Sequence, residues 1–167
     1  GNTVDYTTTA TSISGWGTVL KSVTTGRTFR GDAAQLTGAY TTTSTFDVWG
    51  TLTSQITTGY SMTNVGNTGD YTTTATSISI WGNVLSSRTD GRTFRDNPDT
   101  ALTGAYSTIS TFNVWGTLTS QVTTGYSRTN AGNTVDYTTT ATSISGWGIV
   151  MNSSTTGRTF RGDAAQL

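Results

Sequence analysis

Few residues in this chain could carry acid–base, nucleophilic or metal chemistry. Its 167 residues include no His, no Cys and no Glu, and Lys21 is the single lysine. General acid–base work would fall to Asp and Tyr, and nucleophilic work to hydroxyls with no evident base beside them. Asp5, Asp70 and Asp136 recur at equivalent places in a repeat, which marks a structural position more than a unique site. The chain is therefore expected not to be an enzyme, and to use no catalytic residue and no cofactor. Asp96-Asn97-Pro98-Asp99 offers oxygen ligands of the kind a Ca²⁺ loop uses. It reads more simply as a polar turn around the only proline, so no metal site is expected. Arg30-Gly31-Asp32 and Arg161-Gly162-Asp163 spell the integrin-binding tripeptide, but the middle copy has Arg95-Asp96-Asn97. A glycine turn beside a cap accounts for them.

Two residue types remain, and both are regularly spaced. Thr7/Thr9/Thr11, Thr41/Thr43/Thr45, Thr72/Thr74/Thr76 and Thr138/Thr140/Thr142 are Thr-x-Thr-x-Thr, and the fifth row reads Ser107/Ile109/Thr111. Alternate residues of a strand share a face and recur about 6.6–6.8 Å apart, with strands about 4.7–4.9 Å apart. Stacked, these rows would make a regular grid of hydroxyls and methyls. The pattern resembles the Thr-x-Thr arrays of β-helical insect antifreeze proteins, which implies an ice-binding surface built from these threonines. The plainer account is that Thr is a good strand former and pairs well across strands.

The second set is Trp16, Trp49, Trp81, Trp115 and Trp147, each followed by Gly and spaced 32–34 residues apart. Counting by parity along extended strands places all five on the threonine face. Such a stripe is either covered, as a stacking or assembly surface between repeats or chains, or open to a flat ligand such as a sugar ring. The covered arrangement is the expectation.

The elements that position these residues follow from alternation. Between Tyr40 and Ile56, one parity collects Tyr40, Phe46, Val48, Leu52 and Ile56, and the other collects threonines, Asp47 and Trp49. Period two marks a half-buried strand. The same unit occurs five times, predicting long strands over Tyr6–Val23, Tyr40–Ile56, Tyr71–Arg88, Tyr106–Val122 and Tyr137–Ser154. Three of these units carry one extra residue between Tyr and Trp. A bulge at Ser12, Ser77 and Ser143 restores the alignment, so that Ile13 matches Phe46 and Val19 matches Leu52. Gly26, Gly59, Gly91, Gly125 and Gly157 stand ten residues after each Trp, and are expected to close turns with positive φ. Short return strands would follow at Arg27–Arg30 and Tyr60–Thr63. One helical turn is expected at Gly31–Leu36 and at Asp96–Leu102.

Larger repetition frames these units. Gly1-Asn-Thr-Val-Asp-Tyr6 returns as Gly66-Asn-Thr-Gly-Asp-Tyr71 and as Gly132-Asn-Thr-Val-Asp-Tyr137. This divides the chain into repeats 1–65, 66–131 and 132–167, with halves in the order A-B-A-B-A. The last repeat stops at its first half, as an excerpt from a longer array would. Units of about 33 residues that bury little alone suggest stacking. The expected fold is an all-β repeat array, either a β-solenoid or a continuous antiparallel β-sandwich.

Composition sets the function classes. Thr makes up about a quarter of the chain, charged residues 11%, and the formal net charge is zero. That argues against electrostatic capture of nucleic acid, and no stretch approaches the roughly 18 apolar residues of a membrane-inserting helix. Five Trp, seven Tyr and five Phe argue for an ordered β protein over a disordered one. The Thr, Gly and Asn bias suggests a secreted or cell-surface location. The expectation is a structural or adhesive repeat segment of a long extracellular protein, with self-association between like repeats or chains and a capacity to form filaments. The alternatives are an ice binder using the threonine rows and a carbohydrate-binding module using the tryptophans.

Overall fold

A computed structural model describes residues 2–31, 35–63, 68–95, 101–129 and 134–161. They form ten strands: β1 (Asn2–Ile13), β2 (Val19–Arg30), β3 (Gln35–Phe46), β4 (Leu52–Met62), β5 (Thr68–Ile78), β6 (Val84–Arg95), β7 (Ala101–Phe112), β8 (Leu118–Arg128), β9 (Thr134–Ile144) and β10 (Val150–Phe160). Each strand pairs antiparallel with the next, giving one ten-stranded sheet in sequence order. The sheet does not close into a barrel, and the described residues contain no helix. The fold is all-β, as expected, but it is a single antiparallel meander, neither the coiled stack of a β-solenoid nor the two packed sheets of a sandwich.

The five long strands do not run through their tryptophans. Each divides into two, and the Trp-Gly pair lies in the hairpin turn between them. Alternation on either side of the turn happens to keep phase across it, which is why the parity count saw one strand. The glycines expected to close turns lie instead in the middle of strands, and Gly26, Gly59, Gly91, Gly125 and Gly157 are absent from those with positive φ. Arg27–Arg30 is the end of β2, and Tyr60–Met62 the end of β4. Gln35 and Leu36, placed in a helical turn by the sequence, open β3, and Ala101 and Leu102 open β7. The rest of both helical turns, Asp32–Ala34 and 96–100, lies outside the described residues, as does the Asp96–Asp99 loop.

The bulges fall where the extra residue required them. Register shifts occur between Ala10 and Ser12, Ala75 and Ser77, and across Ser143 beside Ala141, whereas β3 and β7 stay in step with β4 and β8 as far as Thr45 and Thr111 and shift only beside the turn, before Phe46 and Phe112. The sequence alignment across them also holds. Ile13 faces Val19 and Phe46 faces Leu52, and Ile78–Val84, Phe112–Leu118 and Ile144–Val150 complete the series. One apolar pair thus closes each hairpin beside its turn.

Among the described residues, nothing lies over either face of the sheet. No hydrophobic side chain among the described residues is buried, and the residues that are buried include polar Ser44, Ser110 and Thr134. The accessible surface is 10735 Å², against about 7,900 Å² for a compact monomer of the same mass. Cohesion must come from the backbone ladders and from side-chain pairs along the cross-strand rows.

Two rows run the full width. In the first, Tyr and Gly alternate: Tyr6, Gly26, Tyr40, Gly59, Tyr71, Gly91, Tyr106, Gly125, Tyr137, Gly157. Each ring from Tyr40 onward lies over the glycine of the preceding strand, where a Cβ would meet ring atoms at 2.2–2.8 Å. Glycine is used here for the space it leaves, so that a flat ring can cover the backbone. Burial pushes the Tyr106 hydroxyl above its ordinary pKa, with Tyr137, Tyr71 and Asp70 nearby adding to the shift. The second row is threonine in every strand: Thr8, Thr24, Thr42, Thr57, Thr73, Thr89, Thr108, Thr123, Thr139, Thr155. Within each hairpin the two hydroxyls hydrogen-bond to each other at 2.8–2.9 Å.

Candidate functional site: tryptophans on hairpin tips

Each tryptophan sits at the same place in the same turn. In the first, Ser14 N donates to Thr18 O at 2.8 Å and Gly17 N donates to Ser14 O at 3.0 Å, with Gly17 at φ 82°. This is a three-residue hairpin loop, a tight turn followed by glycine in the left-handed region. The residue before the loop (Ser14, Asp47, Ser79, Asn113 or Ser145) braces it with its side chain. Asp47 Oδ1 accepts from Trp49 N at 2.9 Å and from Thr51 N at 2.8 Å, and Asn113 Oδ1 repeats both bonds at 2.9 and 3.0 Å. The serines make the same pair at 3.0–3.3 Å. Short oxygen-bearing side chains favour this local bonding over continuation of the ladder.

The indoles project from these braced loops into solvent. Their exposure runs from 80% at Trp81 to 97% at Trp16. Val48, Ile80 and Val114, each next to its Trp, are exposed as well. Within one copy the tryptophans are therefore neither on the threonine face, where the parity count put them, nor covered by another part of the described sheet.

In a meander every odd-to-even connection falls at the same end, so the five tips form one row. Adjacent tips are two strand spacings apart, about 9.4–9.8 Å. Neighbouring tips also touch. Asn83 Nδ2 donates to Val114 O at 2.8 Å, and a Cβ on Gly82 would lie 3.0 Å from Leu52 N. The spacing of the row is set by the strand ladders, and the Asn83 side chain ties the third tip to the fourth.

The threonines named from the sequence fall on the face opposite the Tyr–Gly row, but in odd strands only. Thr7, Thr41, Thr72 and Thr138 alternate with Thr25, Thr58, Asp90 and Ser107, then Thr124 and Thr156, along one row. Thr9, Thr43, Thr74 and Thr140 alternate with Val23, Ile56, Arg88, Ile109, Val122 and Ser154. Thr11, Thr76 and Thr142 sit in the register shifts, while Thr45 pairs Lys21 and Ser54, and Thr111 pairs Ser86 and Ser120. The unbroken threonine row is on the other face, and the sequence did not single it out. Its signal is the threonine two residues before the mid-strand glycine of each even strand, as in Thr24-Thr25-Gly26 and Thr89-Asp90-Gly91, segments that the sequence places in turns.

Charge on the sheet is paired locally. Arg92 grips the Asp70 carboxylate with Nε and Nη2 at 3.1 and 2.5 Å, and lies 5.5 Å from the Phe94 ring. Arg88 Nε reaches Asp90 at 2.9 Å. A hydrogen bond from Ser107, with Arg88 beside it, holds the Asp90 carboxyl below its ordinary pKa. These pairs are exposed, and pairs of that kind contribute about 0–1 kcal/mol. Of the tripeptides, Arg30 ends β2 and Gly31 follows at φ 64°, while Arg161 follows β10. Asp32, Gly162 and Asp163 lie outside the described residues.

The class defined by this geometry is an open, one-layer antiparallel meander carrying a row of indoles on its hairpin tips. Comparison with protein-family models, curated proteins and solved structures finds no match.

Proposed function

We propose that the chain is a structural and adhesive repeat segment of a secreted or cell-surface protein, with no catalytic role, and that it adheres through its tryptophan row. The observation that carries this is the set of five indoles, 80–97% exposed, on identically braced tips at one end of the sheet. Exposed apolar residues repeated at one fixed position contribute nothing to a core here, and soluble chains avoid such patches unless they bind. An indole's flat apolar face suits the face of a sugar ring. A row of them, evenly spaced, suits an extended polysaccharide that presents equivalent faces at intervals of two sugars. The glycan thus becomes the ligand of the adhesive segment.

Adsorption to insoluble cellulose and chitin tests it, with Trp49→Ala, Trp81→Ala and Trp115→Ala combined as the variant. At about 1 kcal/mol per aromatic contact, affinity is expected to fall roughly a hundredfold with far-UV circular dichroism unchanged. A parent chain that binds no polysaccharide, or a variant that binds as well as its parent, sinks the proposal.

The ice-binding alternative draws support from the ten-threonine row alone. Its hydroxyls are already bonded in pairs, tyrosine rings stand beside it, and Arg88, Asp90 and Ile109 interrupt the rows on the other face. No thermal hysteresis is expected. Clear hysteresis that Thr42→Lys with Thr73→Lys abolishes, without loss of fold, would replace the adhesive proposal.

A further inference from the structure

The five tips, residues 14–18, 47–51, 79–83, 113–117 and 145–149, hold a single charged residue, Asp47. Its Oδ1 is already the acceptor that braces its own turn. None of the chain's lysine and arginine residues belongs to a tip. In each tip four of the five backbone N–H groups donate within the tip. Those of the first residue and of the glycine go to backbone oxygens, and those of the tryptophan and of the residue after the glycine go to the bracing side chain. Asn83 donates its amide to Val114 O of the next tip. What the tips turn outward is apolar. Val48, Ile80 and Val114 stand directly before their indoles and Ile149 two residues after Trp147, and these four are 57–85% exposed.

We propose that the tip row takes neutral, extended β-1,4-linked polysaccharides as a class, reading the face of the sugar ring and not its substituents, so that cellulose and chitin are bound alike. This assignment rests on the adhesive proposal and names its ligand class. Telling one ring substituent from another needs donors and acceptors placed to meet it, because discrimination comes from leaving them unpaired by the wrong ligand. The tips use most of theirs on their own turns. Stacking on an indole asks only for a face of axial C–H groups. Glucose and N-acetylglucosamine in β-1,4 linkage carry every ring substituent equatorially, so both faces stay bare. They differ at C2, and that substituent lies on the rim of the ring, away from the stacked face. Each sugar of such a chain is turned over relative to the last, and equivalent faces return every second sugar along a straight line. The tips likewise return every second strand along the sheet. An α-1,4 chain coils and keeps no straight line of faces. A polyuronate would bring a carboxylate to tips that hold no cation, and a charge desolvated without a partner is costly.

Adsorption isotherms of the full chain on insoluble cellulose, chitin and starch granules, in low and in high salt, test this. Affinities for cellulose and chitin are expected to agree within about threefold, with starch at least roughly tenfold weaker. Raising NaCl to about 1 M, where screening acts within roughly 3 Å, should change the cellulose and chitin values by less than about twofold. Trp49→Phe, Trp81→Phe and Trp115→Phe combined keep flat faces and lose the indole N–H. That variant is expected to stay within about fivefold of the parent, against the roughly hundredfold loss of the three alanines. A parent that binds none of the three polymers overturns this assignment and the adhesive proposal together. Four other results overturn the assignment and leave the adhesive proposal standing: a difference above tenfold between cellulose and chitin, equal adsorption to starch, loss of binding in high salt, or a phenylalanine variant as weak as the alanine one. If the phenylalanine variant loses its sheet by circular dichroism, the polymers and the salt series decide alone.

Discussion

Gly125→Ala is expected to destabilise the sheet by about 2–3 kcal/mol, the upper part of the roughly 1–3 kcal/mol range of an overpacked interior site. A Cβ at Gly125 would stand 2.6 Å from Ala105 O, and 2.6 and 2.7 Å from the hydroxyl and Cζ of Tyr137. The ring could swing away, but the carbonyl belongs to the ladder between β7 and β8 and cannot move without breaking it. Gly104→Ala should behave alike, because its Cβ would meet Tyr126 O at 2.7 Å. Gly59→Ala is the informative contrast. There the three nearest atoms all belong to the far end of the Tyr71 ring, at 2.5–2.8 Å, so rotation relieves the closest clash and the ring's cover is lost. A cost near 1 kcal/mol is expected, the lower end of the same range. Gly15→Ala has nothing within 4 Å and should be neutral. Urea midpoints of the four variants measure this, with the slope checking that the unfolded states are comparable. If Gly125→Ala unfolds at the midpoint of Gly15→Ala, the Tyr–Gly row does not hold the sheet together. With no apolar core, a loss of this size is a large part of the 5–15 kcal/mol that ordinary domains have in reserve.

The all-β class, the five equivalent units and the bulges were legible because each rests on a count: period two, a spacing of 32–34, one residue extra. The bulges needed no structure, since an odd residue in a strand must be absorbed or every later side chain changes face. The hairpins were missed because alternation survives the turn, and because glycine was weighted by its place after Thr-Thr and not by its place after Trp. Asp47-Val48-Trp49-Gly50 and Asn113-Val114-Trp115-Gly116 carry a polar brace and a glycine three residues on, which is a hairpin signal on its own terms. Gly26 and its equivalents have the opposite logic. They are strand residues whose partner is an aromatic ring on a neighbouring strand, and only the pairing register shows that. The same error hid the ten-threonine row, half of which lies in the segments assigned to turns. The expectation that the tryptophans are covered rested on the rarity of exposed apolar stripes and allowed for a neighbouring repeat or another chain, and among the described residues no neighbouring repeat lies over them.

The tips give the other large effect, which separates backbone strain from packing. Gly17, Gly82, Gly116 and Gly148 all adopt φ between 78° and 82°, so alanine at any of them carries the left-handed penalty of about 1–2 kcal/mol. At Gly17 and Gly116 nothing lies within 4 Å of the added Cβ, and that penalty should be the whole effect. At Gly82 the Cβ would meet Leu52 N at 3.0 Å and Thr51 Cγ2 at 3.2 Å, and at Gly148 it would meet Leu118 N at 2.9 Å and Thr117 Cγ2 at 3.2 Å. Those atoms belong to the preceding tip, so alanine there pushes two hairpins apart as well as straining one. Gly82→Ala and Gly148→Ala are expected to cost about 1–2 kcal/mol more than Gly17→Ala and Gly116→Ala, an overpacking increment, read from thermal or urea midpoints. In Gly82→Ala the spacing of Trp49 and Trp81 should widen at the same time, while Asn83 still ties the third tip to the fourth through Val114 O. Polysaccharide adsorption should therefore fall in Gly82→Ala but hold in Gly17→Ala under conditions where both stay folded. Equal losses of stability in all four variants would mean that the tips are independent. The tryptophan row would then have no fixed spacing to offer a ligand.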